Sequence, residues 1–243
     1  MTGVQTCALP ISATVSVGLA VAVRTIEAEH RRPVPARIGI IAMGRLGGQE
    51  MSYASDADVL FVYEPSSEAS GGVSEREVTD AALAVVAELR RLLALPGADP
   101  PLTLDTALRP EGKSGPLART IDSYAAYYAR WSEPWEAQAL LRAAPLAGSA
   151  DVLERFVALI DPLRYPEGGL SDAQVREIRR IKARVDSERL PRGADPTTHT
   201  KLGRGGLSDI EWTLQLLQLR HAASVPRLRT TRTIEALEAA ASS

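Results

Sequence analysis

Apolar positions along the chain follow two periods, and the places where the period changes divide it into elements. Residues 14–30 carry helical spacing and end at the breaker Arg31-Arg32-Pro33, which predicts a helix. Two apolar runs, 38–43 and 59–63, read as strands, the first over 37–43 and the second from about Asp56 to Tyr63. A polar Gly/Ser-rich stretch over 65–72 is a loop, after which Ser74 and Glu77 form a capping box. The helix it starts runs to about Leu95, with Val78, Ala82, Val85, Val86, Leu89, Leu92 and Leu93 at helical spacing, and Pro96-Gly97 and Pro100-Pro101 end it. Residues 102–108 alternate with period two and predict a third strand, with Asp105 beside Thr103 and Ala107 and opposite Leu102, Leu104 and Leu108.

Beyond Ile121 the pattern is almost entirely helical. Helices are expected over 121–142 and, briefly, over 150–160. Another, capped by Ser171 and Gln174, runs to Leu190. A loop over 191–200 and a Gly-rich turn over 201–207 lead to a helix capped by Ser208 and Glu211. It runs through Ala223, with Ile210, Leu214, Leu217 and His221 on one stripe. Strands first and helices after predict an α+β chain with a domain boundary near residue 148 and no internal repeat.

Composition narrows the class. At 243 residues, 45% hydrophobic and 24% charged, the chain can bury a core for one large or two modest domains. A net charge of −2 marks neither a dedicated nucleic-acid binder nor a membrane binder. The single cysteine, Cys7, excludes an intramolecular disulfide framework and fits a reducing, cytoplasmic setting. No apolar run reaches the roughly 18–20 residues of a membrane span. The apolar stretch 8–23 lacks the preceding Lys or Arg of a signal peptide. Residues 1–12, MTGVQTCALPIS, resemble a translated sequencing-adapter read-through and are expected to be a non-native scar. The last residues stop inside a helical pattern without a cap, so both ends read as cut.

The chemistry concentrates between the first two strands. Gly44, Gly47 and Gly48 lead through Ser55 into Asp56 and Asp58, whose i, i+2 spacing puts both carboxylates on one strand face. Asp105 on the third strand supplies a third acid. Three such acids could hold two Mg²⁺ ions about 3.5–4 Å apart. One metal would lower the pKa of an attacking hydroxyl, and the other would neutralise a triphosphate and its leaving group. Arg109, Lys113, Arg142, Lys201 and Arg204 are candidates to line the phosphate path. Each feature also has a plain reading. Asp-x-Asp is commonly solvated, and loop glycines commonly serve turn geometry. The tyrosines and tryptophans of 124–135 read as core, and the charges of 176–192 as a solvated helix face. The turn at 203–206 is either a helix entry or a second phosphate site.

Four separated motifs carry a family resemblance across residues 37–240. They are AMGRLGG running into SDAD (42–48, 55–58); Asp105 with LRPEGKSGPL (108–117); WEAQALLRA (135–143); and KLGRGGLSDIE (201–211). Together they resemble glutamine synthetase adenylyltransferase, a two-headed bacterial enzyme. The resemblance implies a nucleotidyltransferase-fold domain over 13–148, a small mixed sheet with helices, followed by an all-α helical bundle over 149–243. It implies Mg²⁺-dependent transfer of AMP from ATP to a tyrosine hydroxyl of glutamine synthetase, with release of pyrophosphate. Matched by motif, Asp56, Asp58 and Asp105 are the catalytic, metal-binding acids. Gly47, Gly48 and Ser55 form the nucleotide-side loop, and Arg109 and Lys113 the basic loop. Glu136, Arg142, Arg204 and Asp209 fit structural links. The wording Tyr53-Ala54-Ser55-Asp56 and the KLGRGGLSDIEW segment look most like the C-terminal, adenylylating head. The rival is the deadenylylating head, which removes AMP with phosphate. The resemblance leaves open whether the PII signalling protein binds this part. A uridylyltransferase acting on PII is a further reading, although none of His30, His199 and His221 is followed by the Asp of its hydrolase pairs. A silent partner-binding head is the non-enzymatic alternative.

Overall fold

A computed structural model describes residues 8–51, 55–67, 72–97 and 101–242. The chain divides into two compact units: Met1–Trp131 with Arg142–Leu159, and Ser132–Leu141 with Ile160–Ser243. The boundary expected near 148 falls inside the first unit.

The first unit is organised by β2 (Ala57–Pro65), which pairs antiparallel with β1 (Ala36–Ala42), Ala42 opposite Val59 and Ala36 opposite Pro65. Alternation sends Ala57, Val59, Phe61 and Tyr63 of β2, with Ile38, Ile40 and Ala42 of β1, to one face. There they join buried residues of α1 (Ala8–His30) and α3 (Glu75–Leu93) in one core. The opposite face carries Gly39, Ile41, Leu60 and Val62 and receives the start of α6 (Ala150–Arg164). Gly39 has no Cβ, and one built there would stand 3.1 Å from Val152 and 3.2 Å from Leu153, so the missing side chain sets how close α6 lies. On α4 (Ile121–Trp131), Tyr124 meets Phe156 edge-on and donates its hydroxyl to the Phe61 carbonyl at 3.2 Å. Burial raises its pKa well above the ordinary tyrosine value, which keeps the phenol a donor.

β5 (Ala144–Gly148) pairs antiparallel with the other edge of β1. β3 (Leu104–Asp105) and β4 (Ala118–Thr120) both pair parallel with β2, at Ala57–Asp58 and at Phe61–Tyr63. They form one edge strand interrupted by an excursion over residues 106–117. The sheet is therefore five-stranded and mixed, within an α+β unit.

Several elements differ from the sequence expectation. The strand expected over 102–108 keeps only two ladder residues, because Thr106 turns inward and is taken by Arg109. β4 is too short to show a period, and β5 is built of small residues around Pro145, so neither was predicted. The helix expected over 121–142 is two. α4 stops at Trp131, and α5 (Pro134–Leu140) restarts with proline at its first position. α1 begins at Ala8, and at 23 residues it is long and apolar enough to cross a membrane by length and composition, which the count of apolar runs did not predict. Its Val15, Leu19, Ala22 and Ile26 are buried in the core of the first unit. Residues 1–7 of the expected scar lie outside the described residues, and 8–12 are continuous with α1. α3 carries the expected capping box and buries Val78, Ala82, Val85, Val86 and Leu89 of the expected stripe, with Leu92 and Leu93 half-buried.

Among its described residues the second unit contains helices and no strand: α5, the end of α6, α7 (Asp172–Arg189), α8 (Leu207–His221) and α9 (Thr233–Ala241). Ala137, Leu141, Leu170, Val175, Ile178 and Leu219 form its main apolar cluster. α8 departs from its predicted cap. Gly206 is the N-cap, Ser208 is buried within the helix, and Asp209 turns back to accept the Gly205 amide at 2.8 Å. The buried stripe is Leu214, Gln218 and Leu219, while Ile210 and Leu217 are exposed. Gln218 takes a buried place because its side-chain amide donates to the Leu228 and Thr230 carbonyls, each at 2.8 Å.

Lys182 joins α7 to α8, with Nζ at 2.6 Å from Asp186 and 2.5 Å from Asp209. Burial works against its charge, but the hydrogen bonds it donates to the two carboxylates outweigh this and hold its pKa above the ordinary lysine range. The Lys182 hydrogen bond, then the Gly205 amide, holds the Asp209 carboxyl below its ordinary value. A depressed carboxyl contributes stability that is full above the unfolded pKa of about 3.9 and is lost as pH falls through the folded value. Asp209→Asn should therefore lower the melting temperature at pH 7 and flatten its decline on acidification. Melts between pH 7 and pH 3 with the same slope in both proteins would contradict this.

Candidate functional site

The connection from β1 to β2 is a single helical turn, α2 (Gly44–Gly47), entered from extended Met43 and left through Gln49 at φ +56°. The Met43 amide donates to the Asp58 carbonyl at 2.8 Å, which fixes the turn against the start of β2. Gly44 sits at φ +51°, where glycine carries little penalty, and a Cβ there would overlap the Asp58 carboxylate. The acid therefore lies directly against the backbone of the turn. Gly47 is wedged between two main chains: a Cβ would drive into the Arg142 carbonyl oxygen and stand 2.8 Å from that of Ala42.

The amides of this turn are divided. Those of Gly47 and Gly48 donate to Met43 and Gly44 carbonyls at 2.9 and 3.1 Å, and those of Gln49 and Glu50 to Leu46 and Arg45 at 3.0 and 2.8 Å. Gly47 thus provides close packing, and the N–H groups of Gly47 and Gly48 are taken within the turn. Helical geometry leaves the first-turn amides of Gly44, Arg45 and Leu46 without an intrahelical partner.

The parallel ladder sets Asp58 opposite Asp105, as it sets Ala57 opposite Leu104. Ala57 and Leu104 enter the core, so both carboxylates stand on the other face, on neighbouring strands. Asp105 Oδ1 accepts the Ala107 amide at 2.7 Å, which ends the strand in a tight turn and aims the carboxyl. Asp56 stands one residue ahead of the ladder and is exposed, and Ser55 beside it is half-buried. Ser52, Tyr53 and Ala54 lie outside the described residues, so part of the wording that pointed to the adenylylating head does too. Among the described residues no three His, Cys, Asp or Glu side chains come together as a group that could hold a metal ion. The ladder sets two of the three predicted acids, Asp58 and Asp105, in register, and Asp56 stands one residue before it. The donors are hard carboxylate oxygens, and their chemistry fits Mg²⁺.

The basic loop differs from its predicted role. Arg109 is buried, and its Nε, Nη1 and Nη2 all donate into the excursion: to Gly115 O at 3.1 Å, to Thr106 O and Oγ1 at 2.8 and 2.9 Å, and to Lys113 O at 3.0 Å. The sequence points to a phosphate ligand, whereas Arg109 organises the loop, whose carbonyls have no strand to pair with. Arg119 closes the loop from outside by pairing with Glu111, itself at φ +62°. Lys113, on the 3-10 turn Gly112–Ser114, is exposed, and its amine has no partner among the described residues. Arg109→Lys should loosen residues 106–117, because an ammonium cannot reproduce a planar fork of donors. The expected result is faster amide exchange there and a loss of about 2 kcal/mol in stability. Unchanged exchange would contradict the assigned role.

Arg142 is buried and pairs with Glu50 at 2.8 Å, a partner that lies 92 residues away and that no spacing rule could have offered. Lys201 and Arg204 belong to the second unit. The Gly-rich turn there is a helix entry: the Gly203, Arg204, Gly205 and Gly206 amides donate to His199 O, Pro196 O, Asp209 Oδ2 and Gly203 O at 2.7, 3.0, 2.8 and 2.9 Å. No amide among these four is left for a phosphate. Tyr124 and Tyr128 are core, as read, whereas Trp131 is 59% exposed.

Comparison with known proteins bears on the whole arrangement. The family model described as glutamate-ammonia ligase adenylyltransferase matches residues 9–158, and that of GlnD PII-uridylyltransferase matches residues 178–242. The bifunctional glutamine synthetase adenylyltransferase/adenylyl-removing enzyme of Streptomyces coelicolor is 61% identical over 231 residues, 95% of this chain and 23% of the relative. The enzymes of the same name from Mycolicibacterium smegmatis and Mycobacterium tuberculosis are 63% and 58% identical over 206 and 204 residues, covering 85% and 84% of this chain and 20% of each relative. The chain thus spans between a fifth and a quarter of the length of these curated relatives. The match extends through the turn, the paired acids and the loop beside them, and the chain belongs to the glutamate-ammonia ligase adenylyltransferase family.

Proposed function

We propose that this chain is a nucleotidyl-transfer head that moves AMP from ATP to a tyrosine hydroxyl of glutamine synthetase, releasing pyrophosphate and lowering nitrogen assimilation. The observation that carries the reading is the register of Asp58 against Asp105, with Gly44 bare beside them. The relatives' name gives adenylyl transfer to glutamine synthetase, and adenylyl removal, for those proteins.

Asp56, Asp58 and Asp105 would hold Mg²⁺, which when bound supplies charge neutralisation for the triphosphate and acidifies the attacking hydroxyl. The chain's own groups do the rest. The turn 44–47 lets the Asp58 carboxylate lie against its backbone, since Gly44 presents no side chain. Lys113, exposed at the tip of a loop braced by Arg109, is placed to meet the outer phosphates. Asp105 Oδ1 is held by the Ala107 amide, leaving Oδ2 to accept the tyrosine proton. The phenolic oxygen forms a bond to the α-phosphorus, the bond from that phosphorus to the bridging oxygen breaks, and pyrophosphate leaves with the electron pair. Positioning and charge account for most of the acceleration. The helices of the second unit fit the bundle that follows such a domain, and cytoplasmic residence fits the substrates. Contact with PII is part of the same regulatory picture and rests on the family alone.

The adenylylating assignment follows from the motif wording. Incubation with α-labelled ATP, Mg²⁺ and glutamine synthetase should label a tyrosine of the synthetase, and Asp56→Asn/Asp58→Asn should abolish the label. Equal labelling by that control would overturn the assigned acids. ADP released from AMP-tyrosyl synthetase plus inorganic phosphate would assign the deadenylylating reaction. Transfer of UMP from UTP to PII would assign the uridylyl reaction.

A further inference from the structure

The pair of buried Arg142 with half-buried Glu50 has no part in the chemistry above, and its placement is informative. Residues 44–50 form the turn against which Asp58 lies, and they lead through buried Met51 toward Ser55 and Asp56. At its start the turn is fixed by the Met43 amide on the Asp58 carbonyl. In its middle Gly47 is pressed onto the Arg142 carbonyl oxygen. At its end Glu50 Oε2 accepts from Arg142 Nη1 at 2.8 Å, directly after Gln49 in the left-handed region. One residue, placed just ahead of β5, thus grips the turn through both its backbone and its side chain.

Arg142 is only 7% exposed, so its charge is held largely away from water. Burying an ion pair is a poor way to gain stability, since desolvation offsets most of the attraction. Backbone strain of the Gln49 kind persists where surrounding contacts over-determine it. Both observations fit a pair whose role is geometric. We infer that Arg142 is a positioning residue for nucleotide transfer: through Glu50 it clamps the end of the 44–50 turn and holds that turn in register with Asp58. The inference rests on the functional reading above. It differs from the sequence expectation that Arg142 lines the phosphate path, and gives the alternative expectation of a structural link a specific object, the 44–50 turn.

The two roles separate on Glu50. If Arg142 met the phosphates directly, Glu50→Gln would release positive charge toward them and leave ATP affinity equal or tighter. For a clamp, Glu50→Gln and Arg142→Gln break the same link, so their effects overlap. The expected result is a rise of about tenfold in KM for ATP in either variant, a smaller fall in kcat, and a double variant within about twofold of the singles. Arg142→Lys should recover part of the loss. Amide exchange over residues 44–50 should quicken equally in both singles, and this readout needs neither activity nor ATP. Normal KM and normal protection in Glu50→Gln, or a double variant that multiplies the two losses, would overturn the clamp. Failure of the functional reading shows instead in the unaltered chain, which would then transfer no AMP while its exchange pattern still reads the clamp.

Discussion

Asparagine at Asp58 or at Asp105 is expected to cut AMP transfer by about 10²–10⁴-fold while the fold melts within a few degrees of the parent. The two carboxylates face each other across a parallel pair. Like charges set opposite on neighbouring strands cost about 0.2–1 kcal/mol, which asparagine removes. The substitution also leaves backbone bonds alone, including the Met43 amide on the Asp58 carbonyl. In Asp105→Asn the side-chain amide keeps an oxygen for the Ala107 N–H, so the turn after β3 survives and only the charge is lost. Stability held or raised beside lost activity is the signature of groups retained for chemistry. The check is a paired one: initial rates of labelled AMP transfer and thermal melts of the same preparations. A large drop in melting temperature with activity retained at low temperature would make the acids structural.

Gly47→Ala should do the reverse, damaging the fold first. Alanine favours a helical turn by about 1 kcal/mol over glycine, so propensity alone predicts a gain. The Cβ, however, meets the Arg142 carbonyl oxygen inside any tolerable contact and the Ala42 carbonyl oxygen at 2.8 Å. Both obstacles are main chain, one in the turn's own entry strand and one just before β5, so neither rotates away. Overpacking of this kind costs about 1–3 kcal/mol. At about 2–4 °C per kcal/mol for a chain of this size, the loss should move the melting of the first unit by several degrees. Amide exchange should rise over 44–50 and across the β1–β5 edge. A melting temperature equal to the parent's would mean the backbone yields there, and the wedge described for Gly47 would be wrong.

Much of the first unit was readable because its signals are local. The Ser74–Glu77 box, the α3 stripe and the apolar runs of β1 and β2 need only neighbours in sequence to declare themselves. Asp105 could be nominated by alternation, but its partner could not. The register that puts it opposite Asp58 joins residues 47 apart through a two-residue strand, which no period reveals. β4 and β5 were invisible for the same reason, being strands by pairing and not by pattern. The break at Pro134 lies inside the stretch 121–142 that reads as one helix. Arg109 shows the other limit. Composition marks a basic loop, but only the geometry of its carbonyls decides whether a guanidinium looks outward to a phosphate or inward to the loop. Ser208 failed similarly: its spacing to Glu211 fits a capping box, while Gly206 takes the cap and burial takes the serine.

The central claim is that Asp58 and Asp105 act as one acid pair beside the turn at Gly44. Manganese stands in for magnesium in such pairs and is visible by electron paramagnetic resonance. Titrating Mn²⁺ with α,β-methylene-ATP into the parent chain, Asp58→Asn and Asp105→Asn gives the direct reading. The account predicts a bound-manganese signal in the parent and its loss in each single variant; a signal of equal strength in all three would contradict it.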